Sequence, residues 1–180
     1  MKETFQYRLS KDQKREIAQN LIDILQKGSV ISDQSRVFIS NWILTGHREK
    51  RRAFFDVWDM VLKNYLPITR PILFRACKRI GTNNRIVSFT GRLESARRFS
   101  EGQGLLLICD TEENLKHEDR FYEPGEYKNT FYPLVSVLKR AKEMGGWRFS
   151  ETVLTDYIGE DEYIMRINRG NMSCLKWIKN

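Results

Sequence analysis

Cysteine and histidine are scarce in this chain, and what few there are do not cluster. Three cysteines, Cys77, Cys109 and Cys174, make an odd number without paired spacing, and two of them sit inside apolar runs, as buried free thiols do. His47 and His117 lie far from each other in sequence, so a zinc site has little to build on and no metal is expected. No apolar run approaches the roughly 18 residues that a membrane helix needs. The first residues, Met1-Lys2-Glu3-Thr4-Phe5-Gln6, lack the apolar centre of a signal peptide, so a cytoplasmic protein without a membrane partner is expected. Internal repeats and low-complexity segments are absent. Gly102-Gln103-Gly104 lacks the further glycine and lysine of a phosphate-binding loop, which disfavours P-loop and Rossmann enzymes.

What is present is a globular composition, 41% hydrophobic and 30% charged over 180 residues, enough for one core with a helical extension. The formal net charge of +8 points to a polyanionic partner such as nucleic acid, or to an acidic protein surface. Basic residues cluster at His47-Arg48-Glu49-Lys50-Arg51-Arg52, at Arg75, Lys78 and Arg79, and at Arg92, Arg97 and Arg98. Solvated faces of amphipathic helices would give the same clusters.

Residues 1–70 read as a helical extension and 71–180 as a strand-rich core, an α+β arrangement with a helical layer packed on sheets. Ser10-Lys11-Asp12-Gln13 has the form of a capping box, and Ile17, Leu21, Ile22 and Leu25 follow at helical spacing up to Gly28. A second helix is expected from Ser32 to Thr45, its apolar side carrying Val37, Phe38, Trp42 and Ile43. A third, opened by the first basic cluster, carries Phe54, Phe55, Trp58, Val61, Leu62 and Tyr65 until Leu66-Pro67 ends it. Strands are expected at 72–77, 85–90, 104–109, 151–157, 161–168 and 173–178, with helices from Arg92 to Ser100 and from Tyr132 to Met144. Asp110 to Thr130 reads as a long excursion of the functional or mobile kind.

Three short motifs carry chemistry. An arginine, Arg75, sits inside the apolar run Ile72-Leu73-Phe74-Arg75-Ala76-Cys77. Ser88 and Thr90 flank Phe89 in a second run, and Gly159-Glu160-Asp161-Glu162-Tyr163-Ile164-Met165 brings two glutamates to the start of a third. Residues two apart on a strand share a face, so Glu160 and Glu162 are expected to point the same way. Taken singly, Gly-Glu-Asp-Glu is also a good solvated turn, Arg75 could reach solvent from an edge strand, and Ser88 and Thr90 suit any strand before a helix.

In this order and context the motifs resemble the Arg, Ser-x-Ser/Thr, Glu-x-Glu signature of mono-ADP-ribosyltransferases, over about residue 72 to the end. The chain is similar in size and order to small phage-encoded or phage-defence toxins of that family. The resemblance implies a two-sheet transferase core and NAD as co-substrate. Glu162 would stabilise the developing sugar cation, and Glu160 would orient or deprotonate the acceptor. Arg75 would bind NAD phosphate or ribose, and the backbone at Ala76 would hold the nicotinamide amide. Ser88 would position Glu162, and Thr90 would support the strand and helix entry. The segment before Glu160 would be the acceptor-facing loop, with Tyr157 the candidate recognition aromatic, although a packed strand-end tyrosine fits as well. Phe89-Thr90 and Ala76 depart from the two small hydroxyl residues and the glycine of many members.

Glu-x-Glu is associated in this family with arginine modification on proteins, whereas the basic surface favours RNA as the acceptor. An acidic antitoxin or inhibitor protein could dock on that same surface. The competing class is a non-catalytic nucleic-acid-binding module with a degenerate transferase fold. A relation to NAD-linked RNA-repair phosphotransferases is disfavoured, because both histidines lie outside the motifs.

Overall fold

The computed structural model describes residues 7–46 and 52–178, so the basic cluster from His47 to Arg51 lies outside the described residues. Helices α1 (Lys11–Gln26), α2 (Asp33–Leu44) and α3 (Arg52–Asn64) form the expected N-terminal layer. The capping box closes α1 at its start: the Ser10 side chain accepts from Gln13 N while the Gln13 side chain accepts from Ser10 N. Ser32 caps α2 by accepting from Ser35 N.

The remainder alternates strands with short helices: β1 (Ile72–Cys77), β2 (Ile86–Thr90), α4 (Leu93–Ser100), β3 (Leu105–Asp110), α5 (Thr111–Leu115), α6 (Glu118–Phe121), β4 (Phe131–Tyr132), α7 (Leu134–Glu143), α8 (Ile158–Glu160), β5 (Glu162–Arg166) and β6 (Ser173–Lys176). All strand pairs are antiparallel, in the order β4-β5-β2-β1-β3-β6. Where two sheets were expected, the strands form one ladder, but its middle is thin. β1 and β2 pair only at Phe74 and Thr90, whereas β1 pairs with β3 and β2 with β5 along their full lengths.

Side-chain alternation sorts the core onto two faces. Ile86 and Ile164 join the larger cluster, with Leu21, Phe38, Trp42, Phe54, Trp58 and Leu138 from the helices. Val87, Phe89 and Met165 join a smaller one with Leu73, Leu107, Cys109 and Phe131. The helical layer and the sheet therefore share one core. Tyr132 ties them further by donating its buried hydroxyl to Leu21 O at 2.6 Å.

Two segments differ from expectation. Residues 151–157 are helical rather than extended, with Val153–Tyr157 in a π-turn that runs into α8. Val153, Leu154, Tyr157 and Ile158 pack on the larger core at helical spacing, and that packing outweighs the β-branched composition. Phe131 and Tyr132 form a short edge strand beside β5, so α7 begins at Leu134 instead of Tyr132. The 110–130 excursion holds α5 and α6 and is pinned by Glu118, 1% exposed, which accepts from Lys128 N and Asn129 N.

Candidate active site

Glu162 opens β5 opposite Thr90, and its carboxylate is the meeting point of the site. Its Oε1 accepts from Ser88 Oγ at 2.5 Å and from Trp42 Nε1 at 2.9 Å. Arg75, at the centre of β1, donates from Nη1 to Ser88 O at 2.7 Å. That carbonyl is open to Arg75 because β1 and β2 pair only at Phe74 and Thr90.

The two glutamates do not share a strand face as expected. Glu160 ends α8, and Asp161 stands between them in the left-handed region with φ of 52°, a conformation that Asp tolerates better than most residues. Both carboxylates reach the same cleft through this turn rather than through strand alternation. The turn is fastened to the end of β2 at three points. Thr90 Oγ1 donates to Glu160 O at 2.7 Å, Gly91 N to Asp161 O at 3.1 Å, and Arg92 Nη1 to Gly159 O at 3.1 Å. Thr90 Oγ1 also accepts from Arg92 N, so this side chain joins the turn to the entry of α4.

These groups line a cleft of about 420 Å³, together with Ala76, Tyr157 and the apolar walls Ile43, Phe74, Ala96 and Phe99. Its size is that of a small-molecule site. Every residue singled out from the sequence lies on it: Arg75, Ala76, Ser88, Thr90, Tyr157, Glu160 and Glu162. A second cavity of about 870 Å³ shares Arg75, Ala76 and Phe99 with the first, and Lys78, Arg79 and Arg85 stand on its wall with Glu101.

The electrostatics separate the two carboxylates. Burial and the neighbouring Glu162 push the Glu160 carboxyl above the ordinary glutamate range; Arg98, 3.9 Å away, opposes this and Asp156 adds to it. The Tyr157 hydroxyl is raised by burial and then by Glu160, Glu162 and Asp156, so it stays protonated as a donor at neutral pH. Burial lowers the Arg75 guanidinium from its ordinary value, with Cys77 raising it, Arg85 lowering it and Glu162 raising it again. It remains a cation.

Trp42 is the residue that sequence reasoning placed only in the core. A buried indole N–H usually finds an acceptor, but nothing local in sequence indicates that this acceptor lies 120 residues away. Among the described residues, no group of His, Cys, Asp and Glu could hold a metal ion, and no helix is long and apolar enough to cross a membrane. Comparison with protein-family profiles, with curated proteins and with solved structures finds no match to this chain.

Proposed function

We propose that the chain is an NAD-dependent mono-ADP-ribosyltransferase that modifies an intracellular macromolecule, RNA before protein. The observation that carries this reading is the convergence of Arg75, Ser88 and Glu162, distant in sequence, into one hydrogen-bonded chain at the wall of a ligand-sized cleft.

NAD suits the residues present. The first cleft offers carboxylates for a developing sugar cation and apolar walls for an aromatic amide. The adjoining cavity, which shares Arg75 with the first, offers Lys78 and Arg79 to a diphosphate. In the reaction, the bond between the ribose C1′ and the nicotinamide nitrogen breaks, and its electron pair leaves with neutral nicotinamide. The acceptor atom bonds to C1′ and gives its proton to Glu160, whose raised affinity for a proton suits a general base. Glu162, held by two donors on one oxygen, faces the sugar as the cation develops.

RNA is favoured as acceptor by the exposed Arg92, Arg97 and Arg98, close in sequence to the cleft-lining Ala96 and Phe99, and by Tyr157 and Phe99, the latter 58% exposed, as platforms for an unstacked base. The test is incubation with NAD labelled in its adenylate half and separate pools of RNA, DNA and protein, with Glu162→Gln as control. Label in RNA that disappears in the control supports the proposal, and label on protein arginines assigns the same chemistry to the other acceptor. Nucleic-acid binding with no nicotinamide release would make the chain a binding module.

A further inference from the structure

We infer that Trp42 is a positioning residue for the transfer reaction, and that the N-terminal helical layer thereby belongs to the catalytic apparatus. This rests on the transferase reading of Glu162 given above. Three observations carry it.

The first is the bond itself. Trp42 Nε1 donates to Glu162 Oε1 at 2.9 Å, onto the same oxygen that accepts from Ser88. Two donors converging on Oε1 fix the plane of the carboxylate, and among the described residues no protein donor reaches Oε2. The catalytic oxygen is thus left for substrate, while its partner is tied to two separate elements, β2 and α2.

The second is the fixing of the donor. Trp42 is 1% exposed, and its ring meets Phe54, Phe55 and Trp58 edge-on at centroid distances of 5.8, 6.2 and 5.6 Å. A glutamate side chain has free rotors, and a donor held by three rings restricts them more firmly than a hydroxyl that can spin. Trp58, buried in the same aromatic group, has no hydrogen-bond partner for Nε1 among the described residues. The Trp42 bond is therefore set by its position facing Glu162 rather than shared by every indole of the layer.

The third is where the helix ends. The residues following Trp42, Ile43 and Thr45, line the cleft beside it, so α2 supplies wall as well as donor. Rotation or withdrawal of α2 would move the cleft wall and the carboxylate together.

The experiment compares the full chain with Trp42→Phe, which retains an aromatic ring but lacks the N–H. Nicotinamide release from NAD is followed under saturating and limiting NAD. Loss of a hydrogen bond to a charged group predicts a fall in kcat of about 10- to 100-fold, with KM for NAD within about 2-fold. Ser88→Ala combined with Trp42→Phe should cost less than the product of the single effects, because both donors act on one oxygen and loss of either already loosens it. A purely structural tryptophan would leave kcat unchanged in the phenylalanine variant, or would lower kcat only as far as the folded fraction falls in thermal melts, and either result overturns the inference.

An independent arm reads the bond without activity. The Trp42 indole N–H resonance, assigned by its loss in Trp42→Phe, is expected to move in Glu162→Ala while the other tryptophan indoles stay in place. An unmoved Trp42 signal overturns the inference. A parent protein that releases no nicotinamide under any condition defeats the transferase reading and the catalytic role with it, while the resonance still reports whether the two side chains are joined.

Discussion

Ser88 and Glu162 meet diagonally across the β2–β5 ladder: Ser88 pairs with Ile164 and Thr90 with Glu162, so the serine hydroxyl reaches the carboxylate one step along the strand. Direct cross-strand partners would have brought their backbones opposite each other; the diagonal leaves room for a long side chain to lean over and still face the cleft.

That geometry predicts the outcome of Glu162→Gln. The amide oxygen can still accept from Ser88 and Trp42, so the fold should hold, with Tm within a few degrees of the parent. Nicotinamide release should fall by at least about 100-fold, the scale of losing a charge aimed at the transition state. Stopped assays on matched, folded protein would check it.

Arg75 holds Ser88 O and, on the proposed reading, also meets NAD, so its removal should be felt twice. Arg75→Ala frees Ser88 O in a largely buried place and should cost about 1–3 kcal/mol in urea denaturation. It should also raise KM for NAD by about 10-fold, the loss of one ionic contact to the substrate. Unaltered NAD affinity would make Arg75 a structural residue.

If Glu160 is the base of the proposed transfer, stability and activity should run in opposite directions with pH. Its folded value is raised, so the protonated form favours the fold, and that contribution is lost as pH climbs through the folded value, above the ordinary glutamate range. Transfer to the acceptor should rise over the same interval, as the base ionises. In Glu160→Gln both trends should flatten, while nicotinamide release to water persists. Thermal melts and transfer rates across that interval measure the two together.

Gly104 precedes β3 with φ of 83°, and a Cβ there would lie 2.6 Å from Cys77 O. Gly104→Ala combines backbone strain with a clash against main chain, and should lower stability by about 2–4 kcal/mol. Its effect on NAD affinity at equal folded fraction should be small, because the glycine presents no polar side chain to the second cavity.

Much of this was legible from local pattern. The capping box of α1, the aromatic stripe of α3 and the apolar runs of β1, β2 and β3 all appear where their periodicities placed them. Arg75, Ser88, Thr90 and Glu162 were legible for the same reason: each sits on a strand, where position along the chain fixes position in the fold, whereas Glu160 ends α8. The helical nature of 151–160 was hidden by Thr152, Val153, Thr155 and Ile158, which suit strands. The spacing of Val153, Leu154, Tyr157 and Ile158 carried the opposite message, and burial against the core decided in its favour. The left-handed turn at Asp161 and the bond from Trp42 belong to a different category. Both are fixed by tertiary partners, Gly91 in one case and Glu162 in the other, that no window of sequence contains.

The single rung between Phe74 and Thr90 gives the sheet a crease. On one side β1 and β3 share six pairs and β3 and β6 four, and on the other β2 and β5 share five with β4 adding two at the edge, so each half resists distortion as a plate, while the line between them has little to hold it flat. Bending along that crease costs one pairing instead of five or six, and the chain of groups from Arg75 to Glu162 spans it like a stitch across a fold in cloth. Amides along the crease are expected to exchange with solvent ahead of those within either half, and a ligand that grips both sides should slow them.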